Sequence, residues 1–83
     1  MAPKVIKNRI EGFAFYFFSN ENNEPMHVHV RKGDGMAKFW IEPSVLLADE
    51  NGRMKVQELR RAEELVKEYK PHVVKAWNEH FNQ

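Results

Sequence analysis

The chain has 83 residues, 42% hydrophobic and 30% charged, with a formal net charge of +1 and no cysteine. That describes one small globular domain, residues 1–83, and excludes a disordered chain, a disulfide scaffold, a thiolate zinc site and a protein that coats nucleic acid through bulk charge. The first ten residues lack the apolar run of a signal peptide, and the most apolar stretch, Phe13–Phe18, is too short to cross a bilayer. A cytoplasmic location without membrane contact is therefore expected.

A domain this short buries only roughly 60–65% of the surface its unfolded chain exposes, so a partner or a homodimer would add useful stability. Charge is unevenly placed. Lys4, Lys7 and Arg9 precede Gly12 with one acidic residue, Glu11, among them.

In chain order, Lys4–Ile10 has β-branched residues with weak alternation and reads as an edge strand. Gly12 separates it from Phe13-Ala14-Phe15-Tyr16-Phe17-Phe18, which is aromatic on both faces and reads as a central, covered strand. Residues 19–25 are a polar loop ending in Pro25. Met26–Lys32 and Met36–Ile41 are the next strands, joined by a hairpin turn at Gly33-Asp34-Gly35. Pro43 ends the second of them. Ser44–Ala48 fits either a fifth short strand or a first helical turn, and Asn51-Gly52 is a turn.

From Val56 the period becomes helical. Val56, Leu59, Ala62, Val66, Tyr69 and Val73 form one apolar stripe. Pro71 would interrupt a continuous helix but suits the first turn of a new one. Two helices are predicted, 56–69 and 71–81, the second anchored by Trp77 and Phe81. Lys55 offers no acceptor as an N-cap, so fraying is expected there. The fold class is α+β: a small antiparallel sheet of four or five strands (residues 4–48), followed by two helices packed on one face.

Strand alternation puts His27, His29 and Arg31 on one face and Val28 and Val30 on the other. A two-residue loop sets the valines beside Phe39 and Ala37, whereas a three-residue loop would set them beside Lys38 and Trp40. Hydrophobic matching selects the even loop. One face is then apolar (Val28, Val30, Ala37, Phe39, Ile41), and the other gathers His27, His29, Arg31, Lys38 and Trp40.

Two imidazoles able to exchange protons near neutral pH, two cations and an indole make a candidate site for RNA. Arg31 and Lys38 would clamp a phosphate and Trp40 would stack on a base, as substrate-binding residues. His27 and His29 would be the catalytic acid–base pair for phosphodiester cleavage, which needs no cofactor because the ribose 2′-hydroxyl supplies the nucleophile. The plain alternative is a solvated face with Trp40 in the core. A metal site is the weaker third reading, because His-x-His supplies two ligands and a catalytic zinc wants three. Glu24, Glu42, His72 or His80 would have to complete it, and no metal is assigned. His72 and His80 read as helix surface, and Arg60–Glu68 as a solvated face of weak charge pairs.

Phe18-Ser19-Asn20-Glu21, Pro25-Met26-His27-Val28-His29-Val30, Gly33, Ala37-Lys38-Phe39-Trp40-Ile41, Glu58-Leu59-Arg60 and Ala76-Trp77-Asn78-Glu79 with Phe81 follow one another at a spacing that resembles the domain of unknown function 4160 family of small prokaryotic proteins. The resemblance spans nearly the whole chain. Met26 stands where the family usually has a second proline, and Lys55 where it tends to have a serine-like cap. The resemblance implies a two-gene module of the toxin–antitoxin kind, often beside a second family of unknown function (number 2442). An antitoxin-like protein partner and action on RNA are the corresponding expectations. The competing expectation is a non-catalytic interaction module that accepts a partner's strand at the Lys4–Ile10 edge.

Overall fold

The computed structural model describes residues 4–18 and 23–81. Residues 19–22 of the predicted polar loop lie outside the described residues. Four strands, β1 (Ala14–Tyr16), β2 (His27–Lys32), β3 (Gly35–Trp40) and β4 (Leu46–Glu50), form one antiparallel sheet in the order β1-β2-β3-β4. Two helices follow, α1 (Val56–Glu68) and α2 (Lys70–Phe81). The fold is α+β, as the sequence pattern indicates.

The hairpin between β2 and β3 sets the register. Lys32 pairs with Gly35, which leaves Gly33-Asp34 as a two-residue loop. Gly33 takes φ 59°, the left-handed conformation that a turn with glycine at its first central position requires. Val28 then faces Phe39 and Val30 faces Ala37. These four side chains, together with Phe13, Phe15, Phe17 and Ile41, are almost fully buried. Ala62, Leu65 and Val66 of α1 and Val73 and Trp77 of α2 complete that core.

Four expectations need correction. Lys4–Ile10 is not a strand. Lys4 forms an isolated bridge with Tyr16, the Val5 N–H donates to Phe15 at 2.9 Å, and Lys7, Asn8 and Arg9 are exposed. A run without apolar alternation has no buried face to hold a continuous ladder. The aromatic strand is consequently the sheet edge rather than its centre; Phe13, Phe15 and Phe17 are core, Tyr16 on the other face is also buried, and Phe18 is exposed. Val56 is 62% exposed, so the α1 stripe starts at Leu59. The start of α1 is also better held than Lys55 suggested, because the Glu58 carboxylate accepts the Lys55 backbone N–H at 2.9 Å.

The alternatives at 44–48 resolve as a strand. β4 pairs with β3 through Leu46, Leu47, Asp49 and Glu50, and a bulge falls between Lys38 and Phe39 of β3, opposite Ala48. The helices join at Tyr69, whose N–H donates to Leu65 while its carbonyl accepts from Val73, and Pro71 sits in the first turn of α2.

A tight turn at Glu11-Gly12 ties the N-terminal segment to the helices. Both residues have positive φ, and Ile10 and Phe13 exchange backbone hydrogen bonds across them. The Arg61 guanidinium of α1 donates to both Glu11 carboxylate oxygens, one through Nε at 2.8 Å.

Two stability predictions follow from this packing. A Cβ at Gly35 would stand 2.9 Å from Met54 Cβ and 3.0 Å from its Cα. Gly35→Ala should therefore cost about 1–3 kcal/mol in urea unfolding; an unchanged midpoint would contradict the close approach. The hydrogen bond from Arg61 holds Glu11 below its ordinary value of 4.5, and the Lys55 backbone N–H does the same for Glu58. Depressed carboxylates stabilise the fold above the ordinary value, and that contribution is lost as pH falls through the lowered folded values. The urea midpoint should decline below pH about 4.5, and less steeply in Glu11→Gln; identical slopes would rule out the ion pair as a contributor.

Candidate functional site

The second face of the sheet, alternating with the Val28 and Val30 core, is built by strand pairing. Tyr16, His29, Lys38 and Asp49 fall in one row across the four strands. Ala14, Arg31 and Met36 form the next row, and His27, Trp40 and Leu46 form the row on the other side. The five residues singled out by pattern, His27, His29, Arg31, Lys38 and Trp40, therefore share a face. They differ sharply in environment.

His27 is fully buried, with 0% exposure. Its Nδ1 donates to the Pro25 carbonyl at 2.8 Å, so Nδ1 carries a proton and the ring orientation is fixed. Trp77 of α2 lies 5.2 Å away between ring centroids, Trp40 5.8 Å and His29 5.2 Å, all edge-on. His29 stacks on Tyr16 at 5.5 Å and meets the edge of Phe18 at 4.6 Å. It keeps 9% exposure and lines a groove of about 390 Å³ with Phe18, Met36, Lys38, Asp49 and Asn51.

Lys38 has an acidic partner. Its Nζ stands 2.6 Å from Glu24 Oε1 and 4.7 Å from the centre of the Trp40 ring. The indole is half-buried beneath it. Arg31 is exposed, and its Nε donates to Gly33 O at 3.3 Å, leaving the guanidinium tip to the groove beside it.

That second groove, of about 420 Å³, is lined by Lys4, Arg9, Tyr16, Phe18, Arg31 and Met36. It shares Phe18 and Met36 with the first. Elsewhere Lys32, Lys38, Arg61, Lys67 and Lys70 are each matched by a carboxylate. Among the described residues Lys4, Lys7, Arg9, Arg31, Arg53, Lys55, Arg60 and Lys75 are not, and Lys4, Arg9 and Arg31 are brought together along this groove. The face thus runs from cationic near β1, over aromatic rings and one imidazole, to Asp49 and Glu50 on β4.

Sequence reasoning missed Lys4, Arg9, Tyr16 and Phe18 as members of the face. Two signals pointed to them: the basic residues before Gly12, and alternation from Phe13, which sends Tyr16 and Phe18 away from Phe13, Phe15 and Phe17. Nothing in the pattern announced Glu24 as the partner of Lys38, because the loop that brings it there has no periodicity. Among the described residues no group of three histidine, aspartate or glutamate side chains is placed to hold a metal ion. No helix among them is long and apolar enough to cross a membrane.

The burial of His27 yields a stability prediction. His27→Ala removes a packed ring and strips the Pro25 carbonyl of its donor, which should cost about 3 kcal/mol in urea unfolding. A loss below roughly 0.5 kcal/mol, the usual range of surface substitutions, would show that the ring is not packed as described.

No curated protein and no solved structure matches the chain. A family model described as "Domain of unknown function (DUF4160)" matches residues 12–78, which takes in all four strands and most of both helices. The chain belongs to the DUF4160 family.

Proposed function

We propose that the open face of the sheet binds single-stranded RNA, with Lys4, Arg9 and Arg31 on the phosphates and Phe18 as a stacking platform. The observation that carries this reading is the groove where three cations without carboxylate partners surround exposed aromatic edge. Phe18 is 37% exposed, unusual for a phenylalanine next to a core strand. Aromatic rings on a sheet face flanked by cations suit splayed single-stranded bases, whereas a duplex would hide them. Trp40 and Lys38 extend the platform toward β4, and the Glu24 pair leaves Lys38 a weaker phosphate clamp than Arg31.

The two histidines take different roles in this proposal. His29 opens onto the groove and is the group placed to exchange a proton with a bound 2′-hydroxyl. His27, sealed beneath Trp77 and held through Nδ1, is a positioning residue that braces His29 edge-on. Binding rests on more of the geometry than cleavage does, since only one imidazole reaches the groove. An RNA-directed role agrees with a toxin-like component of a two-gene module, countered by an antitoxin-like protein partner.

Exposed leucines favour a second reading. Leu46 is 56% and Leu47 43% exposed on β4, the outer strand of the sheet. A protein partner adding a strand would use this edge, since Lys4–Ile10 forms no ladder. In that reading the chain is an interaction module and the groove is scaffold.

Fluorescence anisotropy with a labelled single-stranded RNA tests the RNA reading. Affinity should fall with salt, and Arg9→Ala or Arg31→Ala should each reduce the slope by about 0.7. Phe18→Ala should cost about 1–3 kcal/mol of binding. Salt-independent affinity, or equal affinity in all four proteins, would refute it and favour the β4 edge.

A further inference from the structure

We infer that the RNA path does not stop at the sheet but turns over the β1 edge at Lys4 and continues along α2, over a groove walled by His72, Lys75 and His80. This extension rests on the RNA reading of the open face. A third groove, of about 420 Å³, lies between the N-terminal segment and α2, with Phe17 and Ala76 among its lining residues. Lys4 lines both this groove and the cationic groove of the sheet face. The two grooves share this one residue, so a cation stands where a strand passing from one to the other would cross.

The crossing is held from both sides. Lys4 bridges to Tyr16 of β1, and the Val5 N–H donates to Phe15. On the far side His72 Nε2 donates to the Val5 carbonyl at 3.0 Å. A segment tied to both the sheet and α2 presents Lys4 at a fixed place, so less side-chain and loop ordering is left for binding.

The chemistry of the α2 groove suits a phosphate backbone. Lys4 and Lys75 are exposed cations without a carboxylate partner among the described residues. His80 adds a further imidazole, the His72 N–H being already given to Val5, and Glu79 is the one acidic side chain on the wall. His80 and Phe81, both half-buried, lie 4.5 Å apart between ring centroids, so some ring surface stands beside the charges. Stacking surfaces next to a cationic track are what a longer single strand engages, without base-specific readout. The resulting surface runs from Arg31 and Arg9 across Lys4 to Lys75. An RNA long enough to cross the edge gains phosphate contacts that a short one on the sheet does not.

Length dependence tests this. A tetranucleotide and a decanucleotide of the same base composition would be titrated by anisotropy against wild type, Arg31→Glu, Lys75→Glu and Lys67→Glu. Lys67 lies on the exposed side of α1, and its variant carries the same change in net charge. Lys75→Glu should weaken the decanucleotide about tenfold, the order of one lost charge-assisted contact, and leave the tetranucleotide unchanged. Arg31→Glu should weaken both lengths. The extension is overturned if Lys75→Glu behaves like wild type on the decanucleotide, weakens both lengths alike, or is matched by Lys67→Glu. Failure of Arg31→Glu to weaken the tetranucleotide would instead overturn the sheet-face reading itself, and the extension with it.

Discussion

The two-residue loop at Gly33-Asp34 decides which way every side chain of β2 and β3 points. With an even loop, Val28 and Val30 meet Phe39 and Ala37, and the helices have an apolar surface to cover. One residue more would turn the valines toward Lys38 and Trp40 and bury charge beneath α1. Gly33 supplies the positive φ that the short loop needs, and Gly35 lets the start of β3 pass against Met54. The histidine face is the other half of the same constraint: whatever alternates with the core residues must stand on the second face, where His27 is nonetheless covered by Trp77.

That second face is not uniform, and its differences follow from what covers each position. Trp77 reaches His27 from α2, so the first histidine is packed like a core ring while the second meets the groove. Glu24 takes the charge of Lys38. Near β1, by contrast, no carboxylate stands against Lys4, Arg9 or Arg31 among the described residues. A chain whose net charge is only +1 can therefore present a local cationic surface, because its acidic residues are spent on α1, on the Glu11-Gly12 turn and on β4. Surface pairs of that kind contribute little stability individually, so their arrangement matters here mainly for the field they leave behind.

Much of this was legible from residue order. Alternation and the hairpin turn fixed the faces of β2 and β3, and the change of period at Val56 with Pro71 fixed the two helices. The N-terminal segment was not legible in the same way. Lys4–Ile10 has strand-forming residues but no alternation, and its place is set by single long-range contacts: Val5 with Phe15, His72 with Val5, Arg61 with Glu11. Pattern reading cannot see such contacts. The aromatic run misled for a related reason. Six consecutive apolar positions suggest burial on both sides, which holds as far as Tyr16, whereas Phe18, beyond the end of this edge strand, is exposed. His27 shows the limit most clearly, since its spacing resembles that of His29 and only the tertiary approach of Trp77 separates their environments.

The central claim is that the second face of the sheet is a ligand surface and not merely its solvated back. Backbone amide chemical shifts of the isotopically labelled protein, recorded with and without a short single-stranded RNA, address it directly. The account predicts shifts that cluster at Tyr16, Phe18, His29, Arg31 and Met36 and leave the exposed side of α1, around Lys67, unmoved. Shifts confined to Leu46–Glu50, spread evenly over the chain, or absent at saturating RNA would contradict it.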